Sequence, residues 1–246
     1  MRLWIDTDAG TNPDDAIALL CAAAHPQVEL VGVSTTGPEP RASASVVTEV
    51  LRWRGADDVL LYAGPPDPRA LVAAEAVLAI GPLTNLARLV RAGVDLPPVA
   101  AMGGVLHPPV LHRGAARTVD SNFAADPFAA AVVVHSVADL LLVPLDVTAP
   151  AVLDAATRLA LVAAVPELSG PLDEWTQRTG APVCLHDPLA LWSLLGEFAT
   201  VERMHIGVGG DGGLLLNAPS GTLVDREVVV DAAQAAMIAA TIALLA

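Results

Sequence analysis

The chain contains no lysine, a single tyrosine and only two cysteines among its 246 residues. Without lysine there is no amine to form a Schiff base and no P-loop lysine to reach a nucleotide phosphate. Every basic side chain other than histidine is arginine. Aromatic residues make up 3% of a sequence that is 54% hydrophobic, so the core must be mostly Ala, Val and Leu. Cys21 and Cys184 each sit in an apolar run with no Cys or His at metal-site spacing, which reads as reduced thiols in a cytoplasmic protein. The apolar stretches near 128–134 and 232–246 are too short or too interrupted to span a bilayer. The first residues enter a strand pattern directly, so no signal peptide is expected. Positive charge is also short: the net charge is −14, which argues against nucleic acid and favours a divalent cation or a neutral small molecule as partner.

What is present suits one large α/β domain over 1–246. Short apolar runs alternate with helical patterns. RLWID, VELVGVST, VLLYAG, AVLAIG, VAAMGG and LLLVPLDVT read as strands. Pro13–Ala24, Ala42–Arg54, Ala151–Ala164 and Pro171–Thr179 read as helices, as do segments starting at Asn85, after Asp126, at HDPLALWSLLG and from Ala232. Such alternation predicts a mostly parallel, Rossmann-like sheet flanked by helices. Glu202–Asp231 predicts a small antiparallel extension near the C-terminus. GVGGDGG at 207–213 contains a formal GxGxxG, but LLLN follows it, so it reads as a hairpin turn.

In open α/β sheets ligands bind beyond the carboxyl ends of the strands. Polar residues directly after strands therefore carry the functional weight. DTDAGTNPDD, residues 6–15, places four aspartates there with no base among them. Asn12 as helix cap, Pro13 at the first helical position, and Asp14 and Asp15 against the helix dipole account for part of it without any function. Asp6 and Asp8, at the end of a buried strand, are left over. Two carboxylates facing two more repel unless a cation lies between them, and hard oxygen ligands favour calcium or magnesium.

HDPLAL at 186–191 brings His186 and Asp187 to another helix start, with a capping Asp followed by Pro as the plain alternative. DSNFAADPFAA at 120–130 brings Asp120 and Asn122, suited to sugar hydroxyls, and Asp126, which reads as a cap. GPLTN at 81–85 is a strand-to-helix turn whose Thr84 reads as a cap and whose carbonyls could face a metal. Of the remaining histidines, His107 and His112 are the hardest to dismiss, because their loop precedes Asp120.

Together, DTDAGTNPDDAIAL, GPLTNLA, the MGG beginning at Met102, DSNFAADPFAA, VPLDVT and HDPLAL resemble, in order, the inosine-uridine-preferring nucleoside hydrolase family. The resemblance implies a calcium-dependent hydrolase of the N-glycosidic bond of a ribonucleoside or related ribosyl compound, commonly a homo-oligomer. It implies calcium held by Asp8, Asp15 and Asp187 and by the backbone carbonyl of Thr84. Asp14, Asn122, Asp120 (where the family usually has Glu) and Met102 would contact substrate, and Asp6 would support the metal loop. Asp8 would take the proton of the attacking water, and His186 would protonate the leaving base.

The sequence departs from the family pattern in its substrate-binding walls. GPEPRA follows STT without the usual Asn, Gly114 stands near the position of another ribose-binding Asn, and Phe128 replaces a Glu. About ten residues join YAGPPDP to AVLAIGPLTN, where the family carries a longer segment with a His-Gly motif. A non-catalytic calcium-bound ribose- or nucleoside-binding homologue therefore stands as the alternative. A phosphatase built on the DTDAG loop is a third reading.

Overall fold

The computed structural model describes every residue except Thr11, Asn217 and Ser220. The first half runs β1 (Arg2–Thr7), α1 (Asp14–Ala24), β2 (Glu29–Thr35), α2 (Pro40–Arg52), β3 (Leu60–Ala63), α3 (Pro68–Leu71), β4 (Ala76–Ala79), α4 (Thr84–Arg91), β5 (Val99–Met102), β6 (Val110–His112) and β7 (Ala115–Arg117). It continues with α5 (Ser121–Ala125), α6 (Pro127–Ser136), β8 (Leu140–Val143), α7 (Leu145–Thr148), α8 (Ala155–Ala164), α9 (Ser169–Thr179) and α10 (His186–Leu194). The chain then closes through β9 (Ala199–Val208), β10 (Leu214–Leu215), β11 (Val224–Ala232) and α11 (Gln234–Leu245).

Nine strands form one sheet in the order β10-β9-β11-β8-β5-β4-β1-β2-β3. From β11 to β3 every neighbouring pair is parallel, while β9 and β10 add antiparallel strands at one edge. This is the expected mostly parallel sheet with a C-terminal antiparallel extension. Both faces are covered. On β1, Leu3 and Ile5 enter one core and Trp4 the other, which is why the strand reads as a continuous apolar run. The small core residues allow close packing: a Cβ on Gly32 would fall within 2.2 Å of the Trp4 ring.

Four local expectations fail, each for a visible reason. Asn12 does not cap α1; the helix starts at Asp14 and no side chain caps it. Thr84 does not cap α4 either, since its hydroxyl donates instead to Asp126 Oδ2 at 2.7 Å. The strand at 140 stops at Val143, because Pro144 turns the chain into α7. The helix expected from Ala151 starts at Ala155, capped by Asp154, because 151–153 pairs with 183–185: the Leu185 amide donates to Ala151 O at 2.7 Å and the Leu153 amide to Val183 O at 2.9 Å. That pairing sets the entry to α10. The GVGGDGG turn is a hairpin, with Leu214 opposite Val208.

Candidate active site

The carboxyl ends of β1, β4, β5 and β8 open into one cavity of about 340 Å³. Asp8, Asp14, Asp15, Met102, Asp120, Asn122, His186 and Asp187 all line it. Of the residues the resemblance points to, Thr84 does not line it and Asp6 lies beneath it.

Asp6 shows how the opening stretch is fixed. Its Oδ1 accepts from Ser34 Oγ at 2.5 Å and from Asn85 Nδ2 at 2.8 Å. Ser34 in turn accepts from Trp4 Nε1, and Asn85 also donates to Thr35 O, so one buried network ties β1, β2 and α4 together. Thr7 donates its hydroxyl to Asp15 Oδ1 and accepts from the Ala9 amide, bending the chain back over the carboxylate.

Asp14, Asp15 and Asp187 each bring an oxygen within 4.8 Å of the others. All three are buried. Asp187 does not cap α10, which starts at His186; it lies in the first turn and faces α1. Burial pushes Asp14 up to about 7 and Asp8 up to about 6. Burial and the neighbouring aspartates hold Asp15 and Asp187 well above the usual carboxylate range. Asp14 Oδ1 is buried without a hydrogen-bond partner. A divalent cation would supply what this donor set lacks, since it accepts several hard oxygens and favours their ionised forms.

Asp120 caps α5. Its Oδ1 accepts from the Asn122 and Phe123 amides and its Oδ2 from the Gly104 amide. Burial raises it to about 6 against those three donors. Asn122 spends its Nδ2 on Met102 O at 3.1 Å. Asp126 is the cap the sequence suggested, accepting from the Ala129 amide at 3.0 Å.

Sequence reasoning flagged His112 without giving it a role and missed the rest of this wall. His112, Arg113, Arg117 and Trp175 line the same cavity. The loop before Asp120 is an unexpected hairpin, β6–β7, and it carries the first three. His112 packs edge-on against His186, with ring centroids 4.9 Å apart. Cys184, read as an ordinary apolar thiol, brings its sulfur within 4.8 Å of the nitrogens of both histidines. The available signal was its place two residues before His186. Burial lowers His112 to about 4 and drives His186 well below its usual value, so both rings are neutral near pH 7. His186 Nδ1 lies 2.8 Å from Thr148 Oγ1, while its Nε2 is buried with no partner. Among the described residues no helix is long and apolar enough to cross a membrane.

An acid-floored cavity at the carboxyl ends of a parallel sheet, with two neutral histidines on its wall, is the kind of site that could hold a metal ion and a small polar substrate. Residues 71–242 match the family described as inosine-uridine preferring nucleoside hydrolase, and the chain belongs to that family. The acidic opening motif precedes the matched span. An uncharacterized protein of Schizosaccharomyces pombe is 25% identical, with 84% of each chain covered. That alignment runs over 268 residues, longer than this chain, so the relative carries segments absent here. The fold is shared with a plant nucleoside hydrolase (TM-score 0.83, 17% identity, 99% of this chain and 98% of that one). It is shared equally with a purine-preferring ribonucleoside hydrolase from Gardnerella vaginalis (TM-score 0.81, 20% identity, 100% and 98%).

Proposed function

We propose that the chain hydrolyses the N-glycosidic bond of a ribonucleoside or related ribosyl compound, with a calcium ion held by Asp8, Asp15 and Asp187. The observation that carries this reading is the convergence of buried Asp14, Asp15 and Asp187, one of whose oxygens has no partner, in a cavity also lined by Asp8 and His186. A bound calcium ion would orient the attacking water and lower its pKa. The backbone carbonyl of Thr84, in the turn after β4, would complete the ligand set.

Asp8 is the least buried of the four cavity-lining aspartates in residues 6–15 and 187, and it is the general base that takes the proton of the attacking water. Asp14 and Asn122 hold ribose hydroxyls and fix C1′ in front of that water. As the C1′–N bond breaks, the sugar gains oxocarbenium character and the base leaves with the electron pair. The carboxylate floor stabilises the positive sugar. With Thr148 donating to Nδ1, the His186 proton sits on Nε2, which has no competing partner. A neutral His186 therefore gives the departing base a hydrogen bond from Nε2, and the base takes up its proton from solvent.

The test is reducing-sugar release from purine and pyrimidine ribonucleosides with calcium, with excess chelator, and with Asp8→Ala. Calcium-dependent release lost in the variant supports the reading. A second reading, a non-catalytic ribose- or nucleoside-binding homologue, is favoured by Asp120, whose two oxygens are already engaged by backbone amides. Nucleoside binding by calorimetry with no sugar release would establish it.

A further inference from the structure

Arg113 and Arg117, on the β6–β7 hairpin, line the same cavity as the carboxylates. Arg113 occupies the turn with a left-handed backbone, φ 52°, and Gly114 follows it at φ 72°. Its guanidinium lies 4.3 Å from the centroid of the Trp175 ring, and Arg178 lies 5.1 Å from the same ring. Stacking on a buried tryptophan holds a side chain that would otherwise sweep through solvent. Arg117 and Arg178 are close enough for their charges to push the Arg113 pKa down.

Like charges gathered at one rim are unfavourable unless something negative joins them. For Arg113 and Arg117 no carboxylate supplies it by contact. Asp14 attracts Arg113 through space, but among the described residues neither Arg113 nor Arg117 has an ion pair or hydrogen bond with a carboxylate. This occurs in a chain of net charge −14, where carboxylates are abundant. A rim of arginines over an acidic floor gives the cavity two poles. The floor suits hydroxyls and a cation, and the rim suits an anion.

The orientation of a β-ribonucleoside connects the poles. Its base and its C5′ substituent project from the same face of the sugar ring. With the ribose hydroxyls seated on the carboxylates, both would project away from those carboxylates, within a cavity that Arg113 and Arg117 also line.

We propose that Arg113 and Arg117 form a subsite for an anionic group on the ribosyl substrate, a phosphate on C5′ or a carboxylate on the base, so that a charged nucleoside is preferred to a neutral one. This rests on the hydrolase reading for its chemistry and on the cavity alone for its binding. The bond change is that of simple hydrolysis: water adds to C1′, the C1′–N bond breaks, the base leaves with the electron pair and a proton, and the anionic group is untouched.

The experiment compares uridine, uridine 5′-monophosphate and uridine carrying a carboxylate on its base, with calcium-loaded protein and the Arg113→Gln/Arg117→Gln double variant. Both sites are exposed, so the variant keeps its core. Sugar release and calorimetric binding are read in parallel. The expected result is a preference of about tenfold or more for one charged compound, worth roughly 1.4 kcal/mol. That preference shrinks at high salt and is lost in the double variant. Which compound wins places the anion on C5′ or on the base. Equal or better use of uridine, or a preference that the double variant retains, overturns the subsite. If nothing is hydrolysed, tighter binding of a charged compound that the variant loses still supports the subsite, and equal binding still overturns it.

Discussion

Gly81 lies against Asp8 so closely that a Cβ at position 81 would sit 2.8 Å from the Asp8 backbone nitrogen and 2.9 Å from its Oδ1. The contact joins the end of β4 to the carboxylate proposed as general base, and nothing in the backbone dihedral of Gly81 demands glycine otherwise.

Gly81→Ala should therefore displace Asp8 rather than unfold the chain. Overpacking of this kind costs about 1–3 kcal/mol. If it falls on the carboxylate, kcat should drop by about tenfold or more, since each 1.4 kcal/mol is a factor of ten. Steady-state kinetics beside a thermal melt checks this. An unchanged kcat with a lowered melting temperature would show that the strain went into the fold instead.

The acid cluster makes a pH prediction for the metal-free protein. Burial raises Asp6 and Asp14 to about 7 and Asp8 and Asp120 to about 6, from 3.8. The folded state then binds more protons than the unfolded one between those values. The stability these groups lend is complete near pH 4 and is lost as pH rises through 6 to 7. His112, lowered from 6.5 to about 4, and His186, held well below its usual value, work the opposite way over part of this range, but they are two groups against the six raised aspartates. Melting temperature in excess chelator should fall from pH 5 to pH 7.5, and calcium should raise it more at the higher pH. Asp14→Asn should flatten the chelator profile. A chelator profile that rises across this window would contradict the burial argument.

Thr148 is fully buried and its hydroxyl meets His186 Nδ1. Thr148→Val keeps the shape and removes the hydrogen bond that fixes the ring. A lost buried hydrogen bond of this type is worth about 1–2 kcal/mol. The expected outcome is a fall in kcat of about tenfold with KM little changed, and a smaller loss on substrates whose leaving base is intrinsically good. A change confined to KM would remove His186 from the leaving-group role.

Much of this could be read from residue patterns because the site is carried by strand ends. Asp6, Asp8, Asp14, Asp15, Asp120, Asn122 and Asp187 each announce themselves as polar groups directly after apolar strands or at helix starts, where the sheet geometry brings strand ends together. Thr84 misled because a hydroxyl one residue into a helix looks like a cap, while its partner Asp126 is 42 residues away. The hairpin was not legible at all. HPPVLHRGAART has neither a long strand pattern nor a two-residue Asn-Gly turn, and its Arg113 takes a conformation that sequence normally reserves for glycine. Trp175 and Cys184 gain their meaning only from tertiary neighbours.

The last strand to be synthesised, β11, is inserted between β8 and β9, and α11 then packs on α1. Asp8, Asp14 and Asp15 belong to the opening residues, whereas Asp187 arrives with the final quarter of the chain. Asp8, Asp14 and Asp15 repel one another as soon as β1 and α1 fold, and Asp187 adds its charge only when α10 docks on α1. Completion of the unfavourable charge cluster thus waits until β1 to β8 have been synthesised and can oppose it. A cation entering at that moment would act as the closing step of assembly as well as a participant in the chemistry.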